Sequence, residues 1–167
     1  MGASALFLTP LLVACTPMKD RRPVQEIHVS AALQQAVQDE IITLHDLFQA
    51  WFRGESGGAD AEFARFERAL APGFTIVTPD GRALDRSGIL TAVRSGYGRD
   101  SSARIWIESA QVRHASDGVI VATYEEWQQS SAEPSHGRLS TAILQEDPAT
   151  AGAFLWLHVH ETWLPDS

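Results

Sequence analysis

From Ser30 to Phe52 the apolar residues Leu33, Val37, Ile41, Leu44, Phe48 and Trp51 or Phe52 recur every three or four positions. That spacing predicts one amphipathic helix of about six turns, with an apolar stripe on one side. Gly54 and Ser56-Gly57-Gly58 stop it. Asp60 is placed to cap a second, shorter helix carrying Phe63, Phe66 and Leu70, and Pro72-Gly73 ends that one. Phe74 to Thr78 then reads as a strand and Pro79-Asp80-Gly81 as a tight turn. Asp85 caps a third helix with Ile89, Leu90 and Val93, which runs out at Gly96-Tyr97-Gly98.

After Arg99 the period changes to that of a sheet. Ala103–Ala115, Val119–Gln129, Gly137–Gln145 and Ala153–Leu164 are long β-rich runs separated by turn-forming segments. Helices first and an antiparallel meander afterwards is an α+β order. The expected fold has a long N-terminal helix and two shorter ones packed on a curved antiparallel sheet, a cone-shaped barrel with an open end. It covers residues 30–165, behind a leader of residues 1–29.

The last strand is the most informative. Alternation puts Trp156, His158, His160 and Thr162 on one face and Leu155, Leu157, Val159 and Trp163 on the other. The second set is plain core. Two imidazoles, an indole and a hydroxyl on the first set predict the wall of a pocket, because a dry interior has no use for adjacent histidines. On the Val119–Gln129 strand the same rule gives Ala122, Tyr124 and Glu126 against Thr123, Glu125 and Trp127. A bulge exchanges such sets, so either could face in, and Tyr124 and Glu126 are the favoured inward pair.

Composition narrows the partners. A net charge of -8 and a single short basic run, Lys19-Asp-Arg-Arg22, argue against nucleic acid. With Cys15 the only cysteine, neither an intrachain disulfide nor a thiolate zinc site forms. Leu12-Val13-Ala14-Cys15 resembles a lipoprotein cleavage site, yet no basic residue precedes the apolar stretch. Two readings stay open: a membrane-anchored lipoprotein through Cys15, or a dispensable leader on a cytoplasmic protein. The run is too short for a transmembrane segment. No phosphate loop, G-x-S-x-G elbow or H-E-x-x-H is present.

Several strings resemble the nuclear transport factor 2-like (NTF2-like) superfamily, and within it the SnoaL-like proteins. They are Ile41-Ile-Thr-Leu-His-Asp-Leu-Phe-Gln-Ala-Trp-Phe-Arg-Gly54, Leu70-Ala-Pro-Gly-Phe-Thr-Ile-Val-Thr-Pro-Asp-Gly81, Ala122-Thr-Tyr-Glu-Glu-Trp-Gln128, Arg138-Leu-Ser-Thr141 and Trp156-Leu-His-Val-His-Glu-Thr-Trp163. The resemblance implies a mostly apolar cavity between the sheet's concave face and the helices. It selects no activity, since the superfamily holds isomerases, dehydratases, cyclases, binding modules and oligomerisation modules.

Two functions follow as expectations. In the first, His158, His160 and Glu126 exchange protons in an apolar cavity with Tyr124 as oxyanion donor, giving isomerase, cyclase or dehydratase chemistry without a cofactor. In the second no reaction follows: the cavity only binds a small apolar or carboxylated molecule, or the chain is a structural module that dimerises through sheet faces bearing Trp106 or Trp127, and a homodimer is compatible with all of these readings. Trp156, Thr162, Trp51 and His45 would line the site, while Arg138 would anchor a carboxylate or pair with a neighbouring strand's glutamate. Asp46 is a further carboxylate at the cavity mouth. His158-Val-His160 finds a third metal ligand only in Glu126, His136 or His114, none at a converging spacing, so no metal is expected.

Overall fold

A computed structural model describes residues 29–55, 59–131, 135–150 and 152–165. The leader, with Cys15 and its two readings, lies outside them. Helix α1 (Ala31–Arg53) begins where the Ser30 hydroxyl accepts the Leu33 N–H at 3.1 Å, satisfying a first-turn donor that the helix itself leaves free. It ends at Gly54, whose φ of 72° turns the chain left-handed. A Cβ at Gly54 would lie 3.1 Å from the Gly98 Cα, so glycine also admits the loop that donates Gly98 N–H to the Trp51 carbonyl at 3.0 Å.

Helix α2 (Ala59–Ala69) starts one residue before Asp60, which therefore lies in the first turn and is not the cap. Helix α3 (Arg86–Ser95) is capped by Asp85, whose carboxylate accepts the Gly88 N–H at 2.8 Å. The strands are β1 (Leu70–Val77), β2 (Ala83–Asp85), β3 (Arg104–Ser116), β4 (Val119–Gln129), β5 (His136–Glu146) and β6 (Phe154–Trp163).

The six strands lie in the order β2-β1-β6-β5-β4-β3. Strands β3 to β6 form the antiparallel meander, but β1 runs parallel to β6. Three helices on a curved sheet are thus the expected α+β cone, with a sheet that is mixed, because β1 joins the meander in parallel, and unclosed. β1 lies beside β6, and the outer strands β2 and β3 never meet. Pro72-Gly73 does not stop α2; it falls in an irregular part of β1, between the pairs Leu70↔Trp156 and Thr75↔His158.

The core lies between α1 and the concave face, with Val37, Ile41 and Leu44 in the same buried cluster as Ile120, Ala122, Ala142, Leu144 and Val159. Side chains of α1 also serve the backbone of the outer strand β3. Gln34 donates to the Ala110 carbonyl at 3.1 Å and accepts the Val112 N–H at 2.8 Å. Gln49 accepts the Ile105 N–H at 2.9 Å, and Arg53 Nε donates to the Ala103 carbonyl at 2.6 Å. An outer strand with its polar groups so occupied offers little to another chain. Among the described residues no helix is long and apolar enough to cross a membrane.

Candidate functional site

Strand β6 breaks its alternation at Leu157. Trp156 pairs with Leu144 of β5 and His158 with Ile143, so Leu157 is an extra residue in a β-bulge. Every side chain beyond it is turned over. Trp156 points inward, 2% exposed, and past the bulge Val159 and Glu161 point inward, each 4% exposed. His158, His160 and Thr162 occupy the outer face, the first half-buried and the others exposed. The expectation that these three share a pocket wall with Trp156 is therefore corrected. His158 Nδ1 instead meets the Thr75 hydroxyl at 2.8 Å on the outside of the sheet.

On β4 it is Ala122, Tyr124 and Glu126 that are buried, and Glu126 is the hub of a polar cluster. Arg138, its direct partner on β5, donates from Nη2 to Oε1 at 2.5 Å and from Nε to Oε2 at 3.1 Å. Gln128 Nε2 donates to Oε1 at 2.7 Å, and His45 Nε2 lies 3.2 Å from Oε2. His45 is held by its other nitrogen, 2.6 Å from the Ile41 carbonyl one turn earlier in α1. Both ring nitrogens thus face acceptors, and the ring meets both only with a proton on each. Arg138 also reaches Glu161, Nε to Oε1 at 3.3 Å.

These contacts divide the two carboxylates. Burial acts to raise the Glu126 carboxyl, but Arg138, then His45, outweigh it and hold it well below the usual range. It stays ionised, saturated by donors. Burial pushes the Glu161 carboxyl up to about 7 against the pull of Arg138, and the Glu126 charge adds to the rise. Glu161 is therefore the group that titrates near neutrality. Burial, then the charges of Glu126 and Glu161, raise the Tyr124 phenol, so it remains a hydrogen-bond donor. The same carboxylates raise the Arg138 guanidinium against its burial.

The cluster forms one side of a cavity of about 350 Å³. Phe48, Phe52, Phe66, Phe74 and Ile76 are among its apolar walls, while His45, Tyr124, Glu126, Gln128, Arg138 and Glu161 are polar groups that line it, with Trp156 beside them. Trp156 is oriented by its indole N–H, which donates to Glu40 Oε1 on α1 at 3.0 Å.

Trp51 is not part of this lining. Its indole N–H donates to the Val93 carbonyl at 2.8 Å and its ring packs on Phe63 and Tyr97, so it pins α1 to α3 inside the core. Asp46 is exposed, as are His114 and His136. Glu126 faces inward while both β6 histidines face outward, so the ligand set weighed for a metal does not converge. The residue that alternation missed is Glu161. Its one visible signal lies on another strand: Ala71–Phe74, with Pro72-Gly73, pass β6 at the level of Leu157 and are irregular there too.

Comparison with solved structures places this architecture among NTF2-like proteins. An NTF2-like protein of unknown function from Pseudomonas aeruginosa is 28% identical with a TM-score of 0.71, over 77% of this chain and 98% of that one. The hub of the S. rosetta kinase CaMKII shares the fold at 15% identity and a TM-score of 0.55, over 81% of this chain and 100% of that one. In sequence, 129 residues are 27% identical to Sucrose-phosphatase 2 of Nicotiana tabacum; they are 75% of this chain but 30% of that protein. Residues 37–165, which hold most of α1, the other two helices and the whole sheet, match the family described as sucrose-6-phosphate phosphohydrolase C-terminal, and the chain belongs to it.

Proposed function

We propose that the chain is a small-molecule-binding domain, its ligand taken up in the cavity between α1 and the concave face of the sheet. The observation that carries this reading is the self-sufficient polar cluster. Glu126 has its donors supplied by Arg138, Gln128 and His45, so the polar wall is built before any ligand enters. Glu161 and Tyr124 remain to meet a ligand's polar group, and aromatic walls receive its body.

A thermal-shift screen of small aromatic acids, alcohols and ketones tests it, with sucrose 6-phosphate added because of the family's description. Stabilisation by at least one compound, reduced in Tyr124→Phe and Glu161→Gln, supports the reading. A panel that never moves the midpoint, or moves it equally in the variants, removes it.

One observation favours a second reading, turnover of the SnoaL-like kind. A carboxyl with its pKa near 7 in an apolar cavity, beside a phenol donor, suits proton abstraction next to a carbonyl. Glu161 takes the role of base here. Turnover found in the same screen should vanish in Glu161→Gln and persist in His158→Ala with His160→Ala.

A homodimer belongs to the same proposal. The outer face carries Trp106 stacked on Trp127 at 6.1 Å, with Leu139 exposed on the same face, an apolar patch suited to a partner. The hub structure supports assembly on this fold only by analogy. Sedimentation of the wild type and Leu139→Glu tests it: a dimer that the variant disrupts supports the proposal, and a monomeric wild type removes it.

A further inference from the structure

The charge of the cavity opposes the charge of the chain. The whole sequence carries -8, yet the residues lining the cavity include three arginines, Arg82, Arg99 and Arg138, against two glutamates, Glu126 and Glu161. Three minus two leaves +1. A low-dielectric cleft of one sign in a protein of the other focuses its field on entering ligands.

Two of these arginines have charge to offer. Arg99 is exposed, and its guanidinium carbon lies over the Phe52 ring, 4.0 Å from the centroid. It forms no ion pair with a carboxylate among the described residues. Arg82 meets only Asp80, at 3.5 Å, and both side chains are largely exposed, a pairing of little strength. On Arg138, Nε and Nη2 hold the glutamates, while Nη1 has no partner among the described residues.

Phe52 links the two chemistries, being both an apolar wall of the cavity and the surface on which Arg99 rests. From this geometry we infer that the ligand is an anion with an apolar body, its carboxylate or phosphate held by Arg99 and its body against Phe48, Phe52 and Phe66. Arg82 adds to the attraction without a fixed contact. The inference rests on the cavity being a binding site, and it adds the sign and the place of the ligand's charge.

The test uses the full chain and three compounds of one shape: 3-phenylpropanoate, its neutral amide, and phenyl phosphate, followed by calorimetry at pH 6. The propanoate should bind at least about tenfold more tightly than the amide, the scale of one charge-assisted pair. Arg99→Gln should weaken the propanoate by about fivefold or more and leave the amide within about twofold. Arg82→Gln should act more weakly but in the same direction, and added salt should mimic it. The phosphate arm tells which oxyanion is preferred. Equal binding of propanoate and amide, or an Arg99→Gln effect of the same size on both, overturns the inference and leaves the binding site standing. Failure of all three compounds to bind overturns the inference, while the binding site itself stands or falls on the wider thermal-shift panel.

Discussion

Arg138 grips Glu126 through Nη2 at 2.5 Å and Nε at 3.1 Å, and the same Nε stands 3.3 Å from Glu161. One guanidinium thus serves two carboxylates unequally. The favoured one is fixed as an ion, and the other is left near its titration point.

Removing the guanidinium leaves a buried carboxylate with only Gln128 and His45 against it. Arg138→Met should cost about 2–4 kcal/mol, below the full penalty for a broken buried pair because Arg138 is itself partly exposed. Glu126→Met with Arg138→Met should recover most of that loss, since it removes the stranded charge as well. Urea denaturation of the single and double variants measures both; an additive double variant would count against the pairing.

Glu161 makes stability depend on pH in a defined direction. Its carboxyl ionises near 4.5 in an unfolded chain and near 7 in the folded one. Below both values the proton is bound in either state and nothing is lost. Between them the folded state holds more protons than the unfolded one, so stability falls as pH rises, by roughly 3 kcal/mol in total, and levels off above 7. Glu161→Gln should abolish that fall. Unfolding free energies of wild type and variant, compared between pH 4 and 8, should diverge across this window and run parallel above it.

The outward histidines should be nearly silent. His158→Ala and His160→Ala should each change stability by no more than about 0.5 kcal/mol, as surface substitutions do, and leave ligand binding untouched. Deleting Leu157 should be tolerated: Trp156 and His158 then follow one another opposite Leu144 and Ile143 in plain alternation, so the imidazoles stay outside and Val159 and Glu161 inside. Circular dichroism of the deletion variant distinguishes a tolerated slip from a lost fold.

Gly96 controls a cavity wall from behind. A Cβ there would lie 2.7 Å from Phe52 Cε1, so Gly96→Ala must push the ring, and Arg99 above it, away from their places. The cost should be about 1–3 kcal/mol, the range of core overpacking. Propanoate affinity should drop with it, whereas Gly118→Ala, with open space around its Cβ, should leave binding unchanged although its positive φ strains the turn.

Much of the fold was legible because it repeats. The 3.6-residue stripe from Leu33 to Phe52 and the alternation from Val119 to Gln129 each carry one message many times over, so no single residue decides it. The Ser30 and Asp85 ends were equally readable, since short polar side chains there have a specific bond to make. The parallel seat of β1 beside β6 was not legible: a five-residue apolar run is silent about its neighbours. Leu157 was worse still. A bulge is one residue in a row of good strand formers, no glycine marks it, and its effect is to exchange the two faces for the rest of the strand. Sequence spacing therefore put His158, His160 and Thr162 where Val159 and Glu161 stand, while Tyr124, Glu126, His45 and Arg138, on elements without such a slip beside them, do come together.

The position of β6 has a consequence for how the protein is made. Residues 154–163 form the seam between the β2-β1 pair and the β3-β4-β5 meander, and they follow the other five described strands in sequence. Until they emerge the chain holds two half-sheets with nothing to join them, each baring an unpaired flank and apolar surface to other nascent chains. Joining the halves must wait for β6, and a chain cut before residue 154 would lose Glu161 together with the stitch that unites them.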